Sequence, residues 1–305
     1  LAEEIEPDTP AAGTPGLTGA DLAHLVNEAA LLAARHGKKT IGQDELEEGI
    51  MRVIAGPEKK TRLFSEQERK VTAYHEMGHA LVGHFTDQDA EVHKISIISR
   101  GQALGYTISL PREDRYLTTR TALMDQLAAM LGGRAAEELV FNDVTTGAAN
   151  DLEKVTHTAK QMIMRYGMSE KLGPRVLGRN QDMPFLGREM ASEPDYSEEI
   201  AREIDSEINR VIELAHTRAL KVLEEHLEEL HRLSAILVER ETIDKDQFLK
   251  LLEGAAEEEV FPDESTEPEP AKPKADERRK RLPKPKPFPL PGQAMQPPDP
   301  EGAQS

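Results

Sequence analysis

His75-Glu76-Met77-Gly78-His79 sets two imidazoles four residues apart, with a carboxylate beside the first. On a helix, side chains four positions apart share a face, so both rings can be aimed at one ion. Such a pair suits zinc, which takes imidazole nitrogen and, at a catalytic site, keeps one position open for water. Glu76 lies one position round the helix, where its carboxylate reaches the water rather than the ion. That is the chemistry of a zinc hydrolase: zinc and Glu76 activate a water, which attacks a peptide carbonyl. The chain has no cysteine. A thiolate site and a disulfide framework are therefore excluded, and His and carboxylate must hold any metal.

A catalytic site of this kind needs a third protein ligand. Glu137 and Glu138 follow Gly132-Gly133-Arg134 on a helical stretch, and Asp151 follows Thr145-Thr146-Gly147 in the first turns of another. Spacing alone does not choose among the three. His84, His93 and His157 read as surface or packing residues.

The motif needs a helix to carry it. Ser65-Glu66-Gln67-Glu68 has the Ser-x-x-Glu form of a capping box and predicts a helix running to about Phe85. Upstream, the apolar spacing of Leu22, Leu25, Val26, Ala29, Ala30 and Ala33 predicts a helix that starts at Thr18 or Gly19 and stops at Gly37. A shorter one, about 43–55, ends at Gly56-Pro57. Downstream, β-branched runs between Val92 and Pro111 read as two short strands. The pattern then turns helical over about 118–140, about 147–166 and a long pair covering about 196–252, with a loop-rich linker near 167–194. The strand around His93 to Ile98 offers an edge on which an extended peptide backbone could lie.

Composition sets the limits. The net charge of −18 argues against a general binder of nucleic acid, and none is expected as a partner. No run approaches the length of a membrane-spanning helix and no signal peptide opens the chain, so any membrane link is expected outside these residues. After Gly254 the chain becomes dense in Pro, Glu and Lys without a repeating apolar face, which predicts a disordered tail.

The segments TGADLAHLVNEAALLAAR, AYHEMGHALV, HKISIISRGQALGYT, LPREDRY, LGGRAAEELVF, TTGAANDLEKVT and YGMSEKLG together resemble the FtsH-type ATP-dependent zinc metalloproteases, over about Gly16 to Leu252. The resemblance implies a mainly α fold: a helical zinc-peptidase domain with a small β element at 57–252. A remnant of an AAA helical lid would precede it at 1–56, with the tail at 253–305. It implies zinc ligands His75, His79 and Asp151, one Zn2+ per chain, Glu76 as catalytic base, and Glu138 as the carboxylate orienting a ligand. It further implies the proteolytic part of a membrane-anchored protease that degrades unfolded or membrane proteins. Such a protease works as a homo-hexamer at the cytoplasmic face of the bacterial plasma membrane. No G-x-x-x-x-G-K-[ST] occurs, so ATP is expected to act only in a longer parent protein. Two other readings compete: an unrelated zinc peptidase with a glutamate third ligand, and a catalytically dead scaffold subunit. The intact Glu76 speaks against the second.

Overall fold

A computed structural model of the chain describes residue 14 and residues 16–59, 65–86, 90–101, 104–111, 117–178 and 196–261. Most of the expected tail, 262–305, and most of the opening 1–15 lie outside the described residues. So does much of the linker near 167–194.

Helix α1 (Gly19–Arg35) begins where Thr18 and Asp21 satisfy each other's backbone N–H groups, and α2 (Gln43–Ala55) ends at Gly56. Gly56 has φ +86°, a conformation costly for other residues. These two helices share a small apolar core of Leu25, Ala29, Leu46 and Ile50. Helix α3 (Glu66–Phe85) starts at the Ser65/Glu68 capping box as expected. From Thr72 to Gly83 almost every residue of α3 is buried, because other elements cover it on several sides.

Those elements follow in order: β1 (Ala90–Ser96), β2 (Tyr106–Pro111), α4 (Arg120–Phe141), a short helical turn at Thr146–Ala148 and α5 (Ala149–Lys160). The last turn of α5 widens over Gln161–Arg165. Then come α6 (Glu198–Glu225), α7 (Leu227–Arg240), β3 (Thr242–Asp244), α8 (Lys245–Leu252) and the short α9 (Glu257–Val260). The fold is mainly α with a small sheet, as the sequence implied.

Two details depart from the sequence reading. The long helical pair expected over about 196–252 meets at His226, whose ring stacks on Phe85, but it ends at Arg240, where β3 and a separate short helix follow. The sheet order is β2-β1-β3, all antiparallel, so β1 is the central strand. β2 lies along one edge of β1 and β3 covers the other over Lys94–Ser96, with the Ile97 N–H bonded to the Glu241 carbonyl, so most of the edge expected at His93–Ile98 is already paired.

The ordered chain also runs past Leu252. Val260 is buried and Arg240 lies over the Phe261 ring while pairing with Glu257. Val260 and Phe261, within the stretch expected as a tail, thus pack against the helical core.

Candidate metal centre

Helix α3 meets α4 at two glycines. A Cβ on Gly78 would lie 2.4 Å from the Gly132 carbonyl oxygen, and one on Gly132 would lie 2.5 Å from that of Gly78. Real side chains do not tolerate such distances, so the two backbones touch only because both residues are glycine. This contact draws the next residue, Gly133, over the imidazoles: a Cβ there would come within 2.6 Å of Nε2 of both His75 and His79.

The two rings are held from behind. His75 Nδ1 is 2.7 Å from Glu137 Oε1, and His79 Nδ1 is 2.8 Å from the Ala129 carbonyl oxygen. A carbonyl only accepts, so the His79 proton sits on Nδ1 and its Nε2 presents a lone pair. Asp151 enters from the first turn of α5, with Oδ2 3.5 Å from Nε2 of each histidine, while the two Nε2 atoms are 3.1 Å apart. Among the described residues this is the one group of three that could hold a metal ion.

The donor set fits zinc. Bonds of roughly 2.0–2.1 Å in a tetrahedron put ligand atoms about 3.3 Å apart, and the three separations here bracket that figure. Lone pairs from two imidazoles and a carboxylate facing one another are repulsive without a cation between them. The protonation balance says the same. Burial pulls the His75 pKa down, yet Asp151 and Glu137 together lift it to about 10. Burial likewise pushes the Asp151 carboxyl up, but the bonds to His75 and His79 hold it well below the usual range. The carboxylates of Asp151 and Glu137 thus favour a positive charge at His75.

Glu76 turns from this point toward β2. It is 7% exposed, and desolvation raises its pKa, opposed by the nearby histidines and by a bond from Thr107. Thr107 Oγ1 lies 2.7 Å from Glu76 Oε2.

The structure brings His75, Glu76, His79 and Asp151 together. It also reassigns the outer carboxylate. Glu137, 1% exposed, takes the place behind His75 that the sequence reading gave to Glu138. Its second oxygen accepts the Thr145 backbone N–H at 2.6 Å, tying the ring to the loop that leads into Asp151. Glu138 instead points to α6, where it pairs with His216 at 3.2 Å. Neither glutamate is a third member of the group, and the sequence reading did not single out Thr107, Gly133 or the Ala129 carbonyl.

Residues 62–251 match the family model described as Peptidase family M41. The chain belongs to peptidase family M41. A second model, the AAA+ lid domain, matches residues 11–48, which end within α2. Among relatives, the ATP-dependent zinc metalloprotease FtsH 1 of Conexibacter woesei is 67% identical over 88% of this chain. FtsH of Rubrobacter xylanophilus is 54% identical over 85%, and FtsH of Kosmotoga olearia is 51% identical over 80%. The alignments cover 41%, 40% and 38% of those proteins, so this M41 chain spans about two-fifths of their length. No helix among the described residues is long and apolar enough to cross a membrane.

Proposed function

We propose that the chain is a zinc-dependent endopeptidase, the proteolytic part of an ATP-dependent protease acting on unfolded or membrane proteins. The observation that carries this reading is the convergence of His75, His79 and Asp151 on one point, with Glu76 beside it. His75, His79 and Asp151 would hold the ion. Bound zinc supplies Lewis-acid chemistry, acidifying water and polarising a carbonyl. The protein residues do the rest. Glu137 and the Ala129 carbonyl fix the two rings so that each presents Nε2 to the site. The Glu76 carboxylate takes the proton of the attacking water and returns it to the departing amine nitrogen. Burial raises the proton affinity of the Glu76 carboxylate, against the pull of the nearby histidines and Thr107, which suits it to act as a base.

The proposal extends to organisation. Residues 1–56 form the end of an AAA lid, 57–252 the peptidase domain and 253–305 an extension whose first residues, to Phe261, pack against that domain. The relatives' names support an ATP-dependent parent. In that parent the chain would assemble as a homo-hexamer anchored at the cytoplasmic face of the bacterial plasma membrane, with ATP bound outside these residues.

Metal analysis and cleavage of unfolded casein test the assignment together. Asp151→Ala and His79→Ala should lose zinc and activity. Glu76→Gln should keep about one zinc per chain while its rate falls roughly a hundredfold to ten-thousandfold. Full zinc retention by Asp151→Ala, or a wild-type rate for Glu76→Gln, refutes it.

A further inference from the structure

A buried glutamate with three rotatable bonds has no intrinsic reason to hold one orientation. Glu76 is nevertheless confined from two directions, both by β2 and the turn before it. Thr107 Oγ1 is 2.7 Å from Oε2 and 3.0 Å from the Glu76 backbone carbonyl. A hydroxyl has one proton, and the shorter approach to a charged acceptor takes it. At the other oxygen, a Cβ on Gly105 would lie 2.8 Å from Oε1 and 2.9 Å from Cγ, and 2.8 Å from the Ser96 carbonyl oxygen of β1. Any side chain at 105 would press on the carboxylate at Oε1 and on the β1 backbone at Ser96. Thr107 itself is fixed by the sheet, where it pairs across from the fully buried Ile95 of β1. The helix thus supplies the carboxylate and the sheet aims it.

We propose that Thr107 and Gly105 are positioning residues for Glu76. Thr107 anchors Oε2 through its hydroxyl, and Gly105 leaves Oε1 open as the oxygen that receives the proton from water. This rests on the peptidase reading above, since it assigns the base's orientation within that reaction. Neither residue belongs to the His75, His79 and Asp151 group, and both meet Glu76, so each would act through Glu76.

The test uses the whole chain, a fluorogenic peptide substrate and metal analysis. Thr107→Val keeps the shape of the side chain and removes the donor. It should lower kcat roughly tenfold to a hundredfold, within the range that general-base placement commands. KM and zinc content should stay near wild type, with Tm lower by a few degrees because Glu76 Oε2 loses its donor. Thr107→Ser, which restores a hydroxyl, should recover most of the loss, and Gly105→Ala should lower kcat with zinc retained. In a Glu76→Gln background the valine change should cost nothing further, because there is no base left to aim. A crystal structure of metal-free Thr107→Val should show the Glu76 carboxylate turned from its place. Wild-type kcat in Thr107→Val, a loss that multiplies fully onto Glu76→Gln, failure of serine to rescue, or an unmoved carboxylate would each overturn the proposal. A wild-type chain that binds no zinc would instead overturn the peptidase reading. The rotamer of Glu76 in the metal-free variant would still decide the positioning.

Discussion

Glu137→Gln is the sharpest probe of the metal centre, because it changes no ligand and almost no volume. The wild-type carboxylate accepts on both sides, from His75 Nδ1 at 2.7 Å and from the Thr145 N–H at 2.6 Å. An amide accepts through one end only. Whichever way the substituted amide turned, its NH2 would face a donor inside a site that is 1% exposed. Two losses follow. The His75 ring loses the anion that fixes its orientation and raises its basicity, which typically weakens metal affinity roughly tenfold to a hundredfold, about 1.4–2.7 kcal/mol. One buried N–H also goes unpaired, costing about 1–3 kcal/mol of folding stability. In a domain of this size that corresponds to a fall in Tm of roughly 2–12 °C. Zinc Kd from chelator competition measures the first loss, and scanning calorimetry of the metal-free chain measures the second. Glu138→Gln is the control, since that side chain is exposed and pairs with His216. If Glu137→Gln binds zinc as wild type does while Glu138→Gln loses it, the geometry drawn here is wrong.

Gly133→Ala should bind zinc poorly even though it is a mild change elsewhere on a helix, because its Cβ would press on both Nε2 atoms at 2.6 Å; metal analysis after dialysis checks this. Arg100 is 1% exposed and pairs with Glu48 and Glu58 at 2.6 Å each, joining α2 to the end of the β1 segment. Arg100→Met should destabilise the chain by about 2–3 kcal/mol in urea unfolding, less than a fully buried pair because both glutamates are partly solvated. Glu207 is held down to about 2, first by Arg210, against burial, and with help from Ser169. A depressed carboxyl stabilises above its ordinary value near 4.5, and that contribution disappears as pH falls toward 2. Wild type should therefore exceed Glu207→Gln in stability at neutral pH, and the two should converge near pH 2 in acid unfolding.

What could be read from the sequence is what local physics decides. Thr18 with Asp21, and Ser65 with Glu68, cap helices through side chains three residues away, so α1 and α3 begin where their residues say they must. The i, i+4 spacing of His75 and His79 needs nothing but a helix to become a pair of ligands. Strand β3 was not legible: three residues, Thr242–Asp244, become a strand only because β1 lies beside them. The same pairing moved β1 from the edge to the centre of the sheet. The packed segment after Leu252 was hidden because its composition is acidic, and only contacts with Arg240 and the core give Val260 and Phe261 a place.

Asp151 and Glu137 show the limit most clearly. Asp151 came from the family resemblance, and no spacing rule connects it to His79 across more than a full helix and a loop. Glu137 and Glu138 are neighbours on one helix, about 100° apart around its axis. Which of them stands behind His75 depends on the rotation of α4 against α3, and the composition of α4 does not state it. The rotation is set where Gly78 meets Gly132, backbone against backbone. With that contact made, Gly133 must lie over the imidazoles, and Glu137, four residues further on, lies on the same face. Glu138 is turned toward α6 by the same step. The glycines near the histidines are therefore part of the construction of the candidate metal site, since they select the carboxylate that holds the His75 ring.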